Sequence, residues 1–188
     1  MRIGILGGTF NPIHVGHLIL AEEALAKLSL DKVVFVPTHI PPHKNVGDAK
    51  PKDRLKMTEL AIANNDSFEV STFELDSKKK SYSIDTLKSF RDKYGESVQL
   101  YFITGSDLLK DLFSWKNVNE IFKMSKFIVA NRAGYPLNNV PDEVETVVIT
   151  PIEVSSEDIR KRLKESRSIR YLVPEKVRSY IARHGLYK

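Results

Sequence analysis

The chain has 188 residues, 41% of them hydrophobic, and a formal net charge of +5. That length fits one domain, 1–188, with a sizeable buried core. With no cysteine, disulfide and thiolate chemistry are excluded, the lack of any long apolar run excludes a membrane-spanning helix, and the positive charge favours anionic partners, nucleic acid or small phosphorylated molecules alike.

The first predicted element is a strand. Arg2 to Leu6 is short and apolar, as a buried strand should be, and lacks the pattern of a secretory signal, so a soluble cytoplasmic protein is expected. It runs into GGTFNPIHVGH, Gly7 to His17. From Gly16 onward Leu18, Ala21, Leu25 and Leu28 take up helical spacing. Val33 to Val36 predicts a second strand, Met57, Leu60 and Ala61 a helix, and Phe68 to Phe73 a third strand. Ile84, Leu87, Phe90 and Tyr94 form one helical stripe, followed by a strand at Val98 to Ile103. A helix is predicted from Ser106 to about Trp115, then strands at Phe127 to Ala130 and Val147 to Ile149. Between those two, Ala133 to Val144 holds Gly134, Pro136, Asn138, Asn139 and Pro141 and predicts a long loop. Two further helices follow, Ser156 to Lys164 and Pro174 to His184, the second opened by proline and closed by Gly185. Strands alternating with helices imply an α/β, Rossmann-like, doubly wound parallel sheet with flanking helices and a small C-terminal helical segment.

In open parallel sheets ligands bind beyond the carboxyl ends of the strands, where GGTFNPIHVGH falls. Gly7 and Gly8 let the backbone approach a ligand closely, and the helix that follows aims its positive end at the same place. The stretch is neither GxGxxG nor a Walker loop. Two imidazoles, His14 and His17, stand where a P-loop has its lysine, and their N–H groups suit charge growing on phosphoryl oxygens. Taken singly, each histidine reads as a turn or helix-start residue; paired after adjacent glycines, they read as a site.

At this point a resemblance is specific. HVGH resembles the His-x-Gly-His motif of the nucleotidyltransferase superfamily, and GGTFNPIHVGH resembles its nicotinate mononucleotide adenylyltransferase branch. PPHK at Pro41 to Lys44, SYSIDTL at Ser81 to Leu87, GSDLLKDLFSWK at Gly105 to Lys116 and VSSEDIR at Val154 to Arg160 are similar to that family in the family's order, so the likeness spans nearly the whole chain. HxGH alone would also fit pantetheine-phosphate adenylyltransferase and class I aminoacyl-tRNA synthetases.

The resemblance implies joining of ATP and nicotinate mononucleotide to give deamido-NAD and pyrophosphate, in NAD biosynthesis. The nucleophile is a substrate phosphate oxygen, already ionised, so the protein aligns two polyanions and absorbs transition-state charge. Mg2+ is implied as the companion of ATP, held largely by phosphates and water. By the same likeness His14 meets the α-phosphate, His17 the triphosphate, and Gly7 with the amides of Gly8, Thr9 and Phe10 lines the nucleotide. Lys44, beside His43 on a loop stiffened by Pro41 and Pro42, brings charge to the phosphates and to the mononucleotide; its plain reading is a solvated loop lysine. His14, His17, Lys44 and Arg160 form the implied catalytic set.

Ser155, Ser156 and Arg160 are implied as grips on the β and γ phosphates, although Ser155 with Asp158 also makes an ordinary helix cap. Glu157 stands where the family has threonine, which demands that it point outward, and Asn11 where the family often has aspartate. Gly105 and Asp107 are implied at ribose hydroxyls, and Asn131 and Arg132 on the adenine side. Thr86 is implied at the nicotinate carboxylate, and Trp115, the one tryptophan, stacked on the pyridine ring. Other substrates within the superfamily are phosphopantetheine and nicotinamide mononucleotide. A non-catalytic nucleotide sensor and an RNA-binding domain using Lys78, Lys79 and Lys80 are readings of another class, the latter disfavoured by the lack of interleaved strand aromatics. The expected partners are ATP and nicotinate mononucleotide, with no nucleic acid and no membrane; a homo-oligomer is compatible with the sequence.

Overall fold

The computed structural model describes residues 1–39, 49–77, 80 and 82–188. Its strands are β1 (Arg2–Gly8), β2 (Lys32–Pro37), β3 (Phe68–Val70), β4 (Gln99–Gly105), β5 (Lys126–Ala130) and β6 (Val144–Val147). They form one parallel sheet in the order β3-β2-β1-β4-β5-β6. The helices are α1 (Val15–Lys27), α2 (Pro51–Ile62), α3 (Phe73–Asp76), α4 (Ser83–Tyr94), α5 (Val118–Met124), α6 (Ser156–Lys164) and α7 (Glu175–His184), with a 3-10 stretch at Ser106–Ser114.

The strands read as continuous apolar runs because both faces of the sheet are covered. Along β5, Phe127 and Val129 enter a core with Ile84, Leu87 and Phe90 of α4, while Ile128 and Ala130 enter the opposite one. That second core also takes Ala21 and Ala24 of α1, Met57 of α2, Ile159 of α6, and Val177 and Ile181 of α7. The C-terminal helices therefore lie on the same face as α1. The strand order reverses between β1 and β4, whose carboxyl ends, at Gly8 and Gly105, flank the crevice where such sheets bind ligands.

Several sequence expectations need correction. β3 stops at Val70, because Phe73 opens the short α3, from which the buried Glu74 reaches Thr86. β6 lies at Val144–Val147 rather than Val147 to Ile149: Phe127 to Ala130 pair with Val144 to Val147, and Ile149 is held by the Asn131 side chain instead of a neighbouring strand. The segment after Gly105 is a 3-10 stretch, not an α-helix, and α5 follows it from Asn117, whose φ is +56. Gly185, at φ +58, ends α7 as the sequence predicts. No helix among the described residues is long and apolar enough to cross a membrane.

Candidate active site

The turn from Gly8 to His14 takes its shape from donors that reach its carbonyls. Arg54 Nη1 donates to Thr9 O at 2.7 Å, Arg160 Nη1 to Asn11 O at 2.8 Å, and Ser156 Oγ to Pro12 O at 2.8 Å. Between them Phe10, at φ +47, folds its buried ring back over the end of β1. A Cβ at Gly8 would lie 2.7 Å from that ring, so the packing of Phe10 requires a glycine at this position. In a trans peptide the N–H points away from the C=O, so the Arg54 contact also turns the Phe10 N–H outward.

His14 caps α1. Its backbone N–H donates to His17 Nδ1 at 3.2 Å, and the two rings stack with centroids 3.7 Å apart. The edge of Phe10 closes the pair, 5.1 Å from the His17 ring. Gly16 is the residue this stack needs, since a Cβ there would press on His14 Nδ1 at 3.1 Å. With Nδ1 of His17 accepting, its neutral ring carries the proton on Nε2. Burial drives the His14 pKa from 6.5 down to about 3, with the Arg132 charge adding to it. Burial, then His14, then Arg132 hold His17 well below its ordinary value. Both rings are thus neutral at neutral pH, each with one N–H to donate. His14 Nδ1 is buried in the capping box at the start of α1 and makes no full hydrogen bond among the described residues. The amide of Val15 is already engaged by Leu172 O at 3.0 Å, so the helix end supplies fewer free donors than the sequence suggests.

Beyond β4 and β5 the side chains pair with one another. Asp107 Oδ2 receives Arg132 Nη1 at 2.7 Å, and Ser106 Oγ accepts the Arg132 backbone N–H while donating to Tyr135 O. Asn131 is bound at both ends of its amide to the Ile149 backbone, which leaves its role at an adenine to its own main chain. The buried Thr86 hydroxyl donates to Glu74 Oε1 at 2.6 Å and its backbone N–H to Tyr82 O at 3.3 Å, so the first residues of α4 are what remains for a carboxylate. Trp115 is half-buried, edge-on to Phe102 at 5.9 Å and Phe127 at 5.8 Å, at once a core and a surface residue. Lys116 beside it lies over the Tyr82 ring and 3.6 Å from Asp85, which brings the tryptophan segment to the start of α4.

The structure therefore brings His14, His17, Phe10, Ser156 and Arg160 to one turn, and Asp107 to Arg132 at the neighbouring strand ends. The Ser155 hydroxyl caps α6 by accepting the Asp158 N–H at 3.0 Å. Glu157 is exposed, as a site for a polyanion requires. Lys44 and His43 lie outside the described residues, as do Ser81, Lys78 and Lys79. Arg54, Glu74 and Tyr187 were not singled out from the sequence. Arg54 left a trace there, a charge on the apolar stripe of Met57 and Ala61; burial lowers its pKa, opposed by Tyr187.

Residues 5–162 match the family described as cytidylyltransferase-like. A Thermoanaerobacter sp. (strain X514) protein named "Probable nicotinate-nucleotide adenylyltransferase" is 44% identical over 100% of this chain and 95% of its own. A Thermus thermophilus protein of the same name is also 44% identical, covering 100% of both chains. Among solved structures, a Plasmodium falciparum nicotinic acid mononucleotide adenylyltransferase complexed with NaAD superposes with a TM-score of 0.83 at 21% identity, over 99% of this chain and 97% of that one. The last likeness speaks for the fold alone; identity of this order along the whole length speaks for more, and the chain belongs to the cytidylyltransferase-like family and, within it, to the nicotinate-nucleotide adenylyltransferases.

Proposed function

We propose that this chain transfers the adenylyl group of ATP to nicotinate mononucleotide, forming deamido-NAD and pyrophosphate. The observation that carries the reading is the stacked His14–His17 pair on a turn braced by Ser156 and Arg160. The mononucleotide phosphate oxygen attacks the α-phosphorus of ATP, the new P–O bond forms, and the bond to the β-phosphate breaks as pyrophosphate leaves. No general base is needed for an ionised nucleophile. His14 donates to the α-phosphoryl oxygen, where charge grows, and His17 Nε2–H to the triphosphate, with Lys44 adding charge. Gly7 and the amides of Gly8, Thr9 and Phe10 line the nucleotide, while the start of α6 holds the β and γ phosphates, Ser155 and Ser156 through their backbone amides and Arg160 through its guanidinium. Gly105, Asp107, Asn131 and Arg132 form the ribose and adenine side. The start of α4, ahead of Thr86, and Trp115 take the nicotinate.

Among the described residues no three or more His, Asp or Glu side chains converge as a metal cage, and Asp107 is neutralised by Arg132. That donor set fits a Mg2+ that arrives on the triphosphate and is held by phosphates and water, where it withdraws charge from the phosphoryl oxygens. We read residues 1–188 as one nucleotidyltransferase domain acting in the cytoplasm. An adenylyl-transfer assay with ATP and Mg2+ against nicotinate mononucleotide, nicotinamide mononucleotide and phosphopantetheine tests the reading. The first should turn over fastest, and faster turnover of phosphopantetheine than of either mononucleotide would reject it.

A further inference from the structure

The turn that carries the site is also held by a residue that none of these roles uses. Tyr187 lies two residues past Gly185, buried, in left-handed backbone at φ +65. That conformation is unfavourable for a residue with a Cβ and persists where surrounding contacts dictate it. Here the contact is specific: the Tyr187 hydroxyl donates to Asn11 Oδ1 at 2.7 Å, and Asn11 is itself buried. The peptide oxygen of Asn11 receives Arg160, and that of Pro12 receives Ser156. One two-residue turn thus gathers Tyr187, Arg160 and Ser156, and His14 stands two residues further on.

We propose that Tyr187 is a positioning residue for adenylyl transfer, its hydroxyl fixing the Asn11 side chain and thereby the placement of Arg160, Ser156 and His14 around the reacting phosphate. The inference rests on the function proposed above. It does not make Tyr187 a ligand contact. Its ring fills buried space that phenylalanine would fill as well, so the hydroxyl is the part that acts on the turn. Charge stabilisation depends on placement, and a displacement of ~1 Å costs up to ~100-fold in rate.

Tyr187→Phe removes only that hydroxyl. Tyr180→Phe is the control, because Tyr180 of α7 also donates its hydroxyl to a side-chain oxygen, Asp53 Oδ1 at 2.9 Å, but reaches α2 instead of the turn. Tyr187→Phe should lower kcat about tenfold with an unchanged KM for nicotinate mononucleotide, and should speed amide hydrogen exchange across residues 10–18. Tyr180→Phe should leave kcat and that exchange unchanged, although both variants lose thermal stability. Equal kcat for the two variants, or unchanged exchange at residues 10–18 in Tyr187→Phe, would overturn the proposal. If the unmodified protein adenylylates neither mononucleotide, the proposed function fails separately, and the exchange comparison still decides whether Tyr187 holds the turn.

Discussion

The two sides of the crevice are built on opposite plans. On the β1 side, protein donors grip the backbone: Thr9, Asn11 and Pro12 each give a carbonyl to Arg54, Arg160 or Ser156, and two imidazoles are left bearing N–H groups. On the β4–β5 side, the polar side chains are already engaged, Asp107 by Arg132 and Asn131 by the Ile149 backbone, as Thr86 of α4 is by Glu74 of α3. The first plan fixes donors in place before substrate arrives, which is what stabilising transition-state charge requires. The second makes contacts that a substrate must exchange for its own, which suits binding. Substitutions on the first side should therefore fall on kcat, and those on the second on KM.

The largest break in this contrast should come from His14→Ala. Removing one preorganised donor from developing charge typically costs ~100-fold to ~1000-fold in turnover, and ATP affinity should change little because the contact strengthens only in the transition state. Steady-state kinetics with a separate ATP-binding measurement checks it; a variant that kept its turnover and lost only affinity would make His14 a binding residue.

Arg160→Ala should come next and should affect both constants. Loss of a charge-assisted contact to phosphate weakens ATP binding by about 2 kcal/mol, roughly thirtyfold. The same guanidinium holds Asn11 O, so kcat should fall as well, through the turn that leads to His14.

A smaller effect should appear in stability against pH. The folded protein keeps His14 neutral down to about 3, whereas the unfolded chain protonates it near 6.5. Between those values the unfolded state binds more protons, so stability rises with pH across the window and falls on acidification. At pH 5 the loss from this one group is about 2 kcal/mol. Thermal melts at pH 7 and pH 5 should converge for His14→Gln relative to the unmodified protein.

Trp115→Ala should give the smallest change and sharpen the contrast from the other side. Lost stacking of ~1 kcal/mol would raise the KM for the mononucleotide by roughly fivefold. ATP binding should stay as it was. If ATP binding fell and the mononucleotide constant did not, the acceptor pocket would lie on the other side of the sheet.

The sequence by itself determined the strand–helix alternation, the covering of both sheet faces and the position of GGTFNPIHVGH at the carboxyl edge. Each of these rests on a local signal: apolar runs in β1, β2 and β5, helical stripes in α1 and α4, proline and glycine around α7. Hydrophobic burial is non-directional, so the pattern of apolar residues is enough to read it. What the tertiary structure decided is which polar group meets which. Thr86 turned to Glu74, Gly8 made room for the Phe10 ring, Arg54 went under the turn, and Tyr187 reached Asn11 from 176 residues away. Hydrogen bonds are directional and short, and a donor finds its acceptor only after distant segments have been packed together. No local periodicity records that choice.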